Sequence, residues 1–225
     1  HVFVTSGHTA GILEAQYDVV PSKITVVRPG FDRPDAGDAP VPAKAEPPLI
    51  LSVGLLTRRK GHDVLLRALA RITDLEWQAD IVGRDHEGGA LDALSTLASD
   101  LGLVGRVRFS GEIGGDALKR RFRDATLFAL ATRYEGYGIV FGEAMCHGLP
   151  IVSTTAGAVL ETVGTGAGLL VTPDEPEAFA GALRRMLTDA TLRASCARAS
   201  RKAAEGLATW PEAARLVRDK IISLA

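Results

Sequence analysis

Two glutamates, Glu135 and Glu143, stand with seven residues between them in a stretch whose glycines, at 136 and 138, break one apolar run from the next. A carboxylate offers two acceptor oxygens and no donor, which matches a pair of neighbouring hydroxyls such as those of a ribose or a hexose. The stretch runs from a short apolar segment (126–130) through Tyr134-Glu135-Gly136-Tyr137-Gly138 into an amphipathic run (139–147) closed by Gly148-Leu149-Pro150. That order reads as strand, tight loop, helix, stop and next strand. A helix leaving a buried strand presents unpaired N–H groups in its first turn, and these suit a phosphate. Gly138, Ile139 and Val140 are placed to offer them, and Glu143 is placed early in the helix, where the dipole tolerates it. Sugar hydroxyls and phosphate together point to a ligand carrying both.

The positioning elements follow from the rest of the chain. From residue 49 onward strand-like and helix-like segments alternate. Strands are expected at 49–54, 77–82, 107–109, 126–130, 151–153 and 168–171, and helices at 61–72, 90–101, 116–123, 139–147, 159–163 and 176–188. Two further helices are expected at 191–205 and 211–224. Such alternation implies an α/β fold with a doubly wound parallel sheet, and short apolar strands without strict alternation fit burial on both faces. Ligands of such sheets sit beyond the carboxyl ends of the strands, where strand order reverses. With the order 3-2-1-4-5-6, that point lies between the loop Leu55-Leu56-Thr57-Arg58-Arg59-Lys60-Gly61 and the glutamate loop. A basic loop and a helix N-terminus would flank one crevice, which points to a diphosphate.

These motifs closely resemble those of GT4-type retaining glycosyltransferases of the GT-B architecture, over about residues 5–187. The resemblance rests on Glu135 and Glu143 inside Tyr134-Glu135-Gly136-Tyr137-Gly138, on Glu143-Ala144-Met145, and on Gly148-Leu149-Pro150-Ile151-Val152. It implies a Rossmann-like donor-binding domain at 49–225, a linker at 33–48, and at 1–32 the tail of an acceptor domain ending in Pro29-Gly30-Phe31-Asp32. The same resemblance implies a nucleotide-diphosphate sugar (UDP, GDP or ADP) as donor substrate, with no metal or other cofactor. Glu143 would accept the ribose hydroxyls and Glu135 would lie near the donor sugar. Lys60 resembles the family's phosphate-binding lysine. An arginine often follows the first glycine of that motif, whereas here Leu55 follows Gly54, so Arg58 or Arg59 would supply the guanidinium, with Arg59 favoured. Residues 111–113, Gly111 and Ile113 among them, correspond to the segment that holds the base through backbone groups, against an ordinary strand-to-loop turn as the equal alternative. Gly83 matches a common glycine near the donor. Glu161 is expected to be structural, and His8 to be a solvent-facing helix residue.

Composition narrows the alternatives. The 225 residues carry a formal net charge of −1, which argues against binding nucleic acid through gross electrostatics. No apolar run is long enough to span a membrane, and no signal peptide is visible, so the expected location is cytoplasmic. Many enzymes of the resembled family act on lipid acceptors. The basic run Lys119-Arg120-Arg121-Phe122-Arg123 therefore has a second reading as a peripheral membrane contact, behind the first reading as a solvated helix face. Cys146 and Cys196 lack metal-type spacing, and Asp32, Asp35 and Asp38 read as a solvated turn cluster. The loop after the first strand lacks GxGxxG, and no GxxxxGK[ST] occurs, which disfavours a dinucleotide oxidoreductase and a P-loop ATPase. Glycoside hydrolysis would need one carboxyl raised by an apolar pocket, and none is evident around either glutamate. The alternatives kept are a binding module that needs a separate partner chain and a GT-B relative such as an epimerase or phosphorylase. The chain opens on His1 in mid-pattern, which reads as a fragment or a processed product.

Overall fold

The computed structural model describes residues 1–32, 45–86 and 88–224. Most of the linker expected at 33–48, with Asp35 and Asp38 of the turn cluster, lies outside these residues.

The chain begins with β1 (Val2–Val4), α1 (Gly7–Tyr17) and β2 (Ile24–Val26). The two strands pair in parallel as a separate two-stranded sheet, Val2 opposite Ile24. Ser6 starts α1 because its hydroxyl accepts the Thr9 N–H, satisfying one of the first-turn donors.

The larger body alternates as the spacing implies: β3 (Leu49–Val53), α2 (His62–Leu69), β4 (Gln78–Val82), α3 (Ala90–Asp100), β5 (Val107–Gly111), α4 (Gly115–Asp124), β6 (Leu127–Leu130), α5 (Ile139–Cys146), β7 (Ile151–Thr154), α6 (Val159–Val163), β8 (Gly168–Val171), α7 (Pro176–Thr188), α8 (Ala190–Glu205) and α9 (Trp210–Ile222). The six strands lie in the order β5-β4-β3-β6-β7-β8, every pair parallel. That is the expected 3-2-1-4-5-6 order. The helix expected over 61–72 is instead α2 followed by a 3-10 turn at Ala70–Ile72, and the strand expected to stop at 109 runs on to Gly111.

Burial on both faces follows the period-two pleat. Ile50, Ile81, Leu127, Ala129 and Val152 join Leu65, Leu69, Phe179 and Leu183 of α2 and α7 on one face. Leu51, Val82, Phe128, Leu130 and Ile151 join Phe122, Phe141, Met145 and Val159 of α4, α5 and α6 on the other. Fully burying one such side chain contributes about 1.5–3 kcal/mol, and because all six strands are parallel their carboxyl ends share one rim. The α8 helix crosses from one layer to the other and is pinned by Ser200, whose hydroxyl donates to the Leu149 carbonyl at 2.7 Å.

Candidate functional site

The order reverses between β3 and β6, and the loops that leave these strands face each other. After β3, a 3-10 turn at Arg58–Lys60 ends on Gly61 with φ +66°. Any Cβ at Gly61 would run into the Ala131 carbonyl, so only glycine lets the two loops approach this closely. Backbone bonds seal the approach: the Arg133 N–H donates to the Arg59 carbonyl at 2.8 Å, and the Thr132 hydroxyl lies 3.1 Å from the same oxygen.

This closeness brings Lys60 and Glu135 together. Lys60 Nζ lies 2.6 Å from Glu135 Oε1, with the carboxylate nearly sealed from solvent. Thr132 Oγ1 lies 3.1 Å from the same oxygen. Arg59 donates to the Tyr134 carbonyl at 3.1 Å and sits 3.6 Å from Glu135 Oε2. An ammonium has three donors, so Lys60 keeps two for another ligand after meeting Glu135.

On the opposite wall, α5 starts from Gly138 at φ +86°. Backbone N–H groups at Gly138, Ile139 and Val140 have no acceptor inside the helix, and the partial positive charge of the helix end collects there. Glu143 is the fifth residue of α5, early in the helix as the sequence suggested. Burial pushes its carboxyl above the ordinary 4.5, which corrects the expectation that neither glutamate has a desolvating pocket. Phe31 lies so close over α5 that a Cβ on Gly142 would strike its ring, and Trp210 joins it around a cavity of about 200 Å³ that Glu143 also lines.

Lys60, Arg59, Glu135, Gly138, Ile139, Val140 and Glu143 all line one cleft of about 430 Å³, together with Gly54, Leu55 and Tyr137. That volume lies within the range of small-molecule sites, roughly 300–1,000 Å³. The structure therefore places the basic loop and both glutamates on one cavity at the carboxyl rim. Gly83, Gly111 and Ile113 lie at and just beyond the ends of β4 and β5, outside the residues lining this cleft. Gly83 has a steric reason of its own, because a Cβ there would strike the Gly54 carbonyl. Arg58 is exposed, and its carbonyl accepts from Arg133 at 2.6 Å.

Two lining residues, Thr5 and Pro29, come from the N-terminal arm; Pro29 belongs to the Pro29-Gly30-Phe31-Asp32 turn, which the sequence did not connect with the cleft, and Thr5 carries no motif. The arm is held by Ser6, which donates to the Gly136 carbonyl at 2.6 Å, and by Glu161, which accepts the His8 N–H at 3.2 Å and Arg28 Nη2 at 3.1 Å. Burial would raise the Glu161 carboxyl, but the Gly7 and His8 backbones and Arg28 outweigh it and hold the group below its usual value. Glu161 is thus structural, as expected. His8 is exposed and its ring lies 6.0 Å from that of Tyr134. His147 closes α5 with its ring stacked on Phe122, centroids 5.3 Å apart. Among the described residues no group of three or more His, Cys, Asp or Glu could hold a metal ion, and no helix is long and apolar enough to cross a membrane.

Comparison with known proteins agrees with the fold. Residues 37–203 match the family model described as glycosyl transferases group 1. A D-inositol 3-phosphate glycosyltransferase of Salinispora arenicola is 33% identical over 215 residues, covering 86% of this chain and 48% of that protein. One from Streptomyces avermitilis is 30% identical over 235 residues, covering 97% and 50%. The chain spans about half the length of the curated relatives it matches. Sucrose-phosphate synthase of Thermosynechococcus elongatus superposes with a TM-score of 0.85 at 26% identity, over 99% of this chain and 58% of that one. Anabaena HepE, solved with UDP, has the same fold, with a TM-score of 0.84 at 23% identity over 99% and 63%.

Proposed function

The chain belongs to the glycosyl transferases group 1 family, and from that premise we propose that it supplies the donor-binding half of a GT4-type retaining glycosyltransferase that uses a nucleotide-diphosphate sugar. One observation carries the reading: Lys60 and Glu143 line the same cleft at the carboxyl rim. Positive charge on one wall and a half-buried hydroxyl acceptor on the other fit a molecule with a diphosphate at one place and a ribose at the next. Structural neighbours solved with UDP and with UDP-glucose share the fold.

In this reading the diphosphate lies between Lys60 and the first turn of α5, and Glu143 accepts the two ribose hydroxyls. The bond between the anomeric carbon and the β-phosphate oxygen breaks, and negative charge grows on that oxygen. Lys60, Arg59 and the α5 N–H groups meet this charge with donors already in place, which is the stabilisation that lowers such barriers most. The acceptor hydroxyl oxygen forms the new bond to the anomeric carbon and gives its proton to the departing phosphate, on the face the leaving group vacates. Glu135 is engaged by Lys60 and serves the site as part of that pair and as a neighbour of the donor sugar. This scheme asks for no metal and no cofactor beyond the donor. The acceptor is taken on a body facing the cleft from outside this domain, so the chain alone binds donor and transfers poorly.

Calorimetric titration with UDP, GDP, ADP and their sugar conjugates tests the reading. Binding of one nucleoside diphosphate series, lost in both Lys60→Ala and Glu143→Ala while the fold is retained, supports it. Wild-type affinity in both variants removes it.

A further inference from the structure

Arg133 stands between the two charged loops of the cleft but does not line it. Its guanidinium spans the Asp63 carboxylate, Nη1 to Oδ1 at 2.9 Å and Nη2 to Oδ2 at 2.8 Å. Nη1 also donates to the Arg58 carbonyl at 2.6 Å, and Nε donates to Asp174 Oδ1 at 2.6 Å. One side chain of the glutamate loop thus holds the start of α2, the basic turn and the segment after β8. Hydrogen bonds donated to Asp63, and then to Asp174, raise the guanidinium above its ordinary value despite partial burial. Burial pushes the Asp63 carboxyl up, but the bond and charge of Arg133 outweigh it and hold the group below its ordinary value. The Arg58 carbonyl and Asp63 lie on either side of Lys60 in sequence, and Glu135 lies two residues beyond Arg133, so the clamp brackets the 2.6 Å contact between Lys60 and Glu135.

We propose that Arg133 is a positioning residue: its bidentate grip on Asp63, together with the bond to the Arg58 carbonyl, sets where Lys60 stands relative to Glu135 and so how the cleft meets a diphosphate. The second half of this statement rests on the donor reading above; the first half does not. A planar guanidinium with donors in a fixed fork can hold Asp63, the Arg58 carbonyl and Asp174 at once, whereas a lysine at 133 lacks the fork that grips Asp63 through both oxygens while reaching the other two. Loss of the clamp leaves the sheet and both helices in place and frees the basic turn to move by fractions of an ångström. Displacements of that size matter at sites that recognise a phosphate by geometry.

The test uses the whole chain with Arg133→Met, Arg133→Lys and Asp63→Asn. Its first readout needs no ligand: the rate at which a small amine-acylating reagent modifies Lys60, followed by mass spectrometry, with Lys23, Lys119, Lys202 and Lys220 as internal references. Lys60 is 9% exposed in the intact site. The expected result is several-fold faster modification of Lys60 in Arg133→Met, a smaller rise in Arg133→Lys and Asp63→Asn, and unchanged reference lysines. The second readout is affinity for UDP and for UMP by titration, replaced by the guanine or adenine pair if the wild type prefers it. UDP is expected to weaken about tenfold in Arg133→Met, a difference of about 1.4 kcal/mol, with UMP nearly unchanged. Lys60 modified at the wild-type rate in the folded variants overturns the clamp. Should Arg133→Met fail to fold, Asp63→Asn decides the same question. Equal losses of UDP and UMP affinity overturn the diphosphate role and leave a general loosening. A wild type that binds no nucleotide defeats the donor reading, while the modification rates still decide the clamp.

Discussion

The Lys60 ammonium lies 2.6 Å from Glu135 Oε1 although 75 residues separate the two in sequence. Removing one member of a buried pair costs more than removing both, because the survivor keeps its desolvation cost. Lys60→Met should therefore destabilise the fold by about 3 kcal/mol, near the lower end for such pairs because Arg59 is also close. Lys60→Met combined with Glu135→Leu should recover most of that loss. Urea denaturation of the two single variants and the double variant checks this, and additive losses would count against it.

Glu143 should show itself through pH. Its carboxyl is raised in the folded chain by burial. The sign is that of a group whose folded value exceeds its unfolded one: its contribution is fully favourable below 4.5 and is lost as pH rises through the raised value. Glu143→Gln should thus be more stable than the wild type at pH 7, with the gap closing at low pH. Nucleotide affinity should move the other way. The glutamine keeps one acceptor for two ribose hydroxyls, and loss of a charge-assisted bond corresponds to roughly tenfold weaker binding or more. Melting temperatures across pH and titration at pH 7 measure both.

His62 opens α2 beneath the Gly54–Leu55 backbone and is 1% exposed. Burial lowers its imidazole from 6.5 to about 4, with the Gly54 and Leu55 backbones pulling weakly the other way, although neither ring nitrogen makes a hydrogen bond of good geometry. For a base held below its unfolded value, stability is complete above 6.5 and drains away as pH falls towards 4. The loss should be on the order of 3 kcal/mol across that window. His62→Leu should flatten this part of the stability profile, and an unchanged profile would show that another group is responsible.

The sheet and its order were legible in the sequence because apolar runs and their spacing are local signals. Residues 49–54 and 126–130 could be read as central strands without knowing their neighbours, and the crevice followed from the switch in order. The contents of the crevice were less legible. Lys60 read as a phosphate ligand and Glu135 as a sugar ligand, and nothing in either loop announces that they meet. Glu143 read as a ribose acceptor and a tolerated early-helix charge, and nothing near it in sequence shows that Phe31 and Trp210, more than sixty residues away on either side, line a cavity with it. Arg133 carried no sign of its role, since its partners Asp63 and Asp174 lie on two other connections.

Gly157 has φ +58°, and a Cβ there would strike the Glu135 carbonyl. Gly157→Ala should cost at least about 1 kcal/mol from the left-handed backbone alone. It should also displace Glu135 and weaken nucleotide binding beyond what the stability loss explains. Thermal melts paired with titration at a temperature where both proteins are folded separate the two effects.

The joining of β3 and β6 at the centre of the sheet has a kinetic consequence. Their loops meet only after the intervening α2, β4, α3, β5 and α4 have been looped out, so the cleft is among the contacts of high sequence separation, which form slowly. A chain halted before that pairing would hold well-made helices and no recognisable cavity. Capture of a nucleotide during refolding would therefore time the arrival of the central strand pair, not the collapse that precedes it.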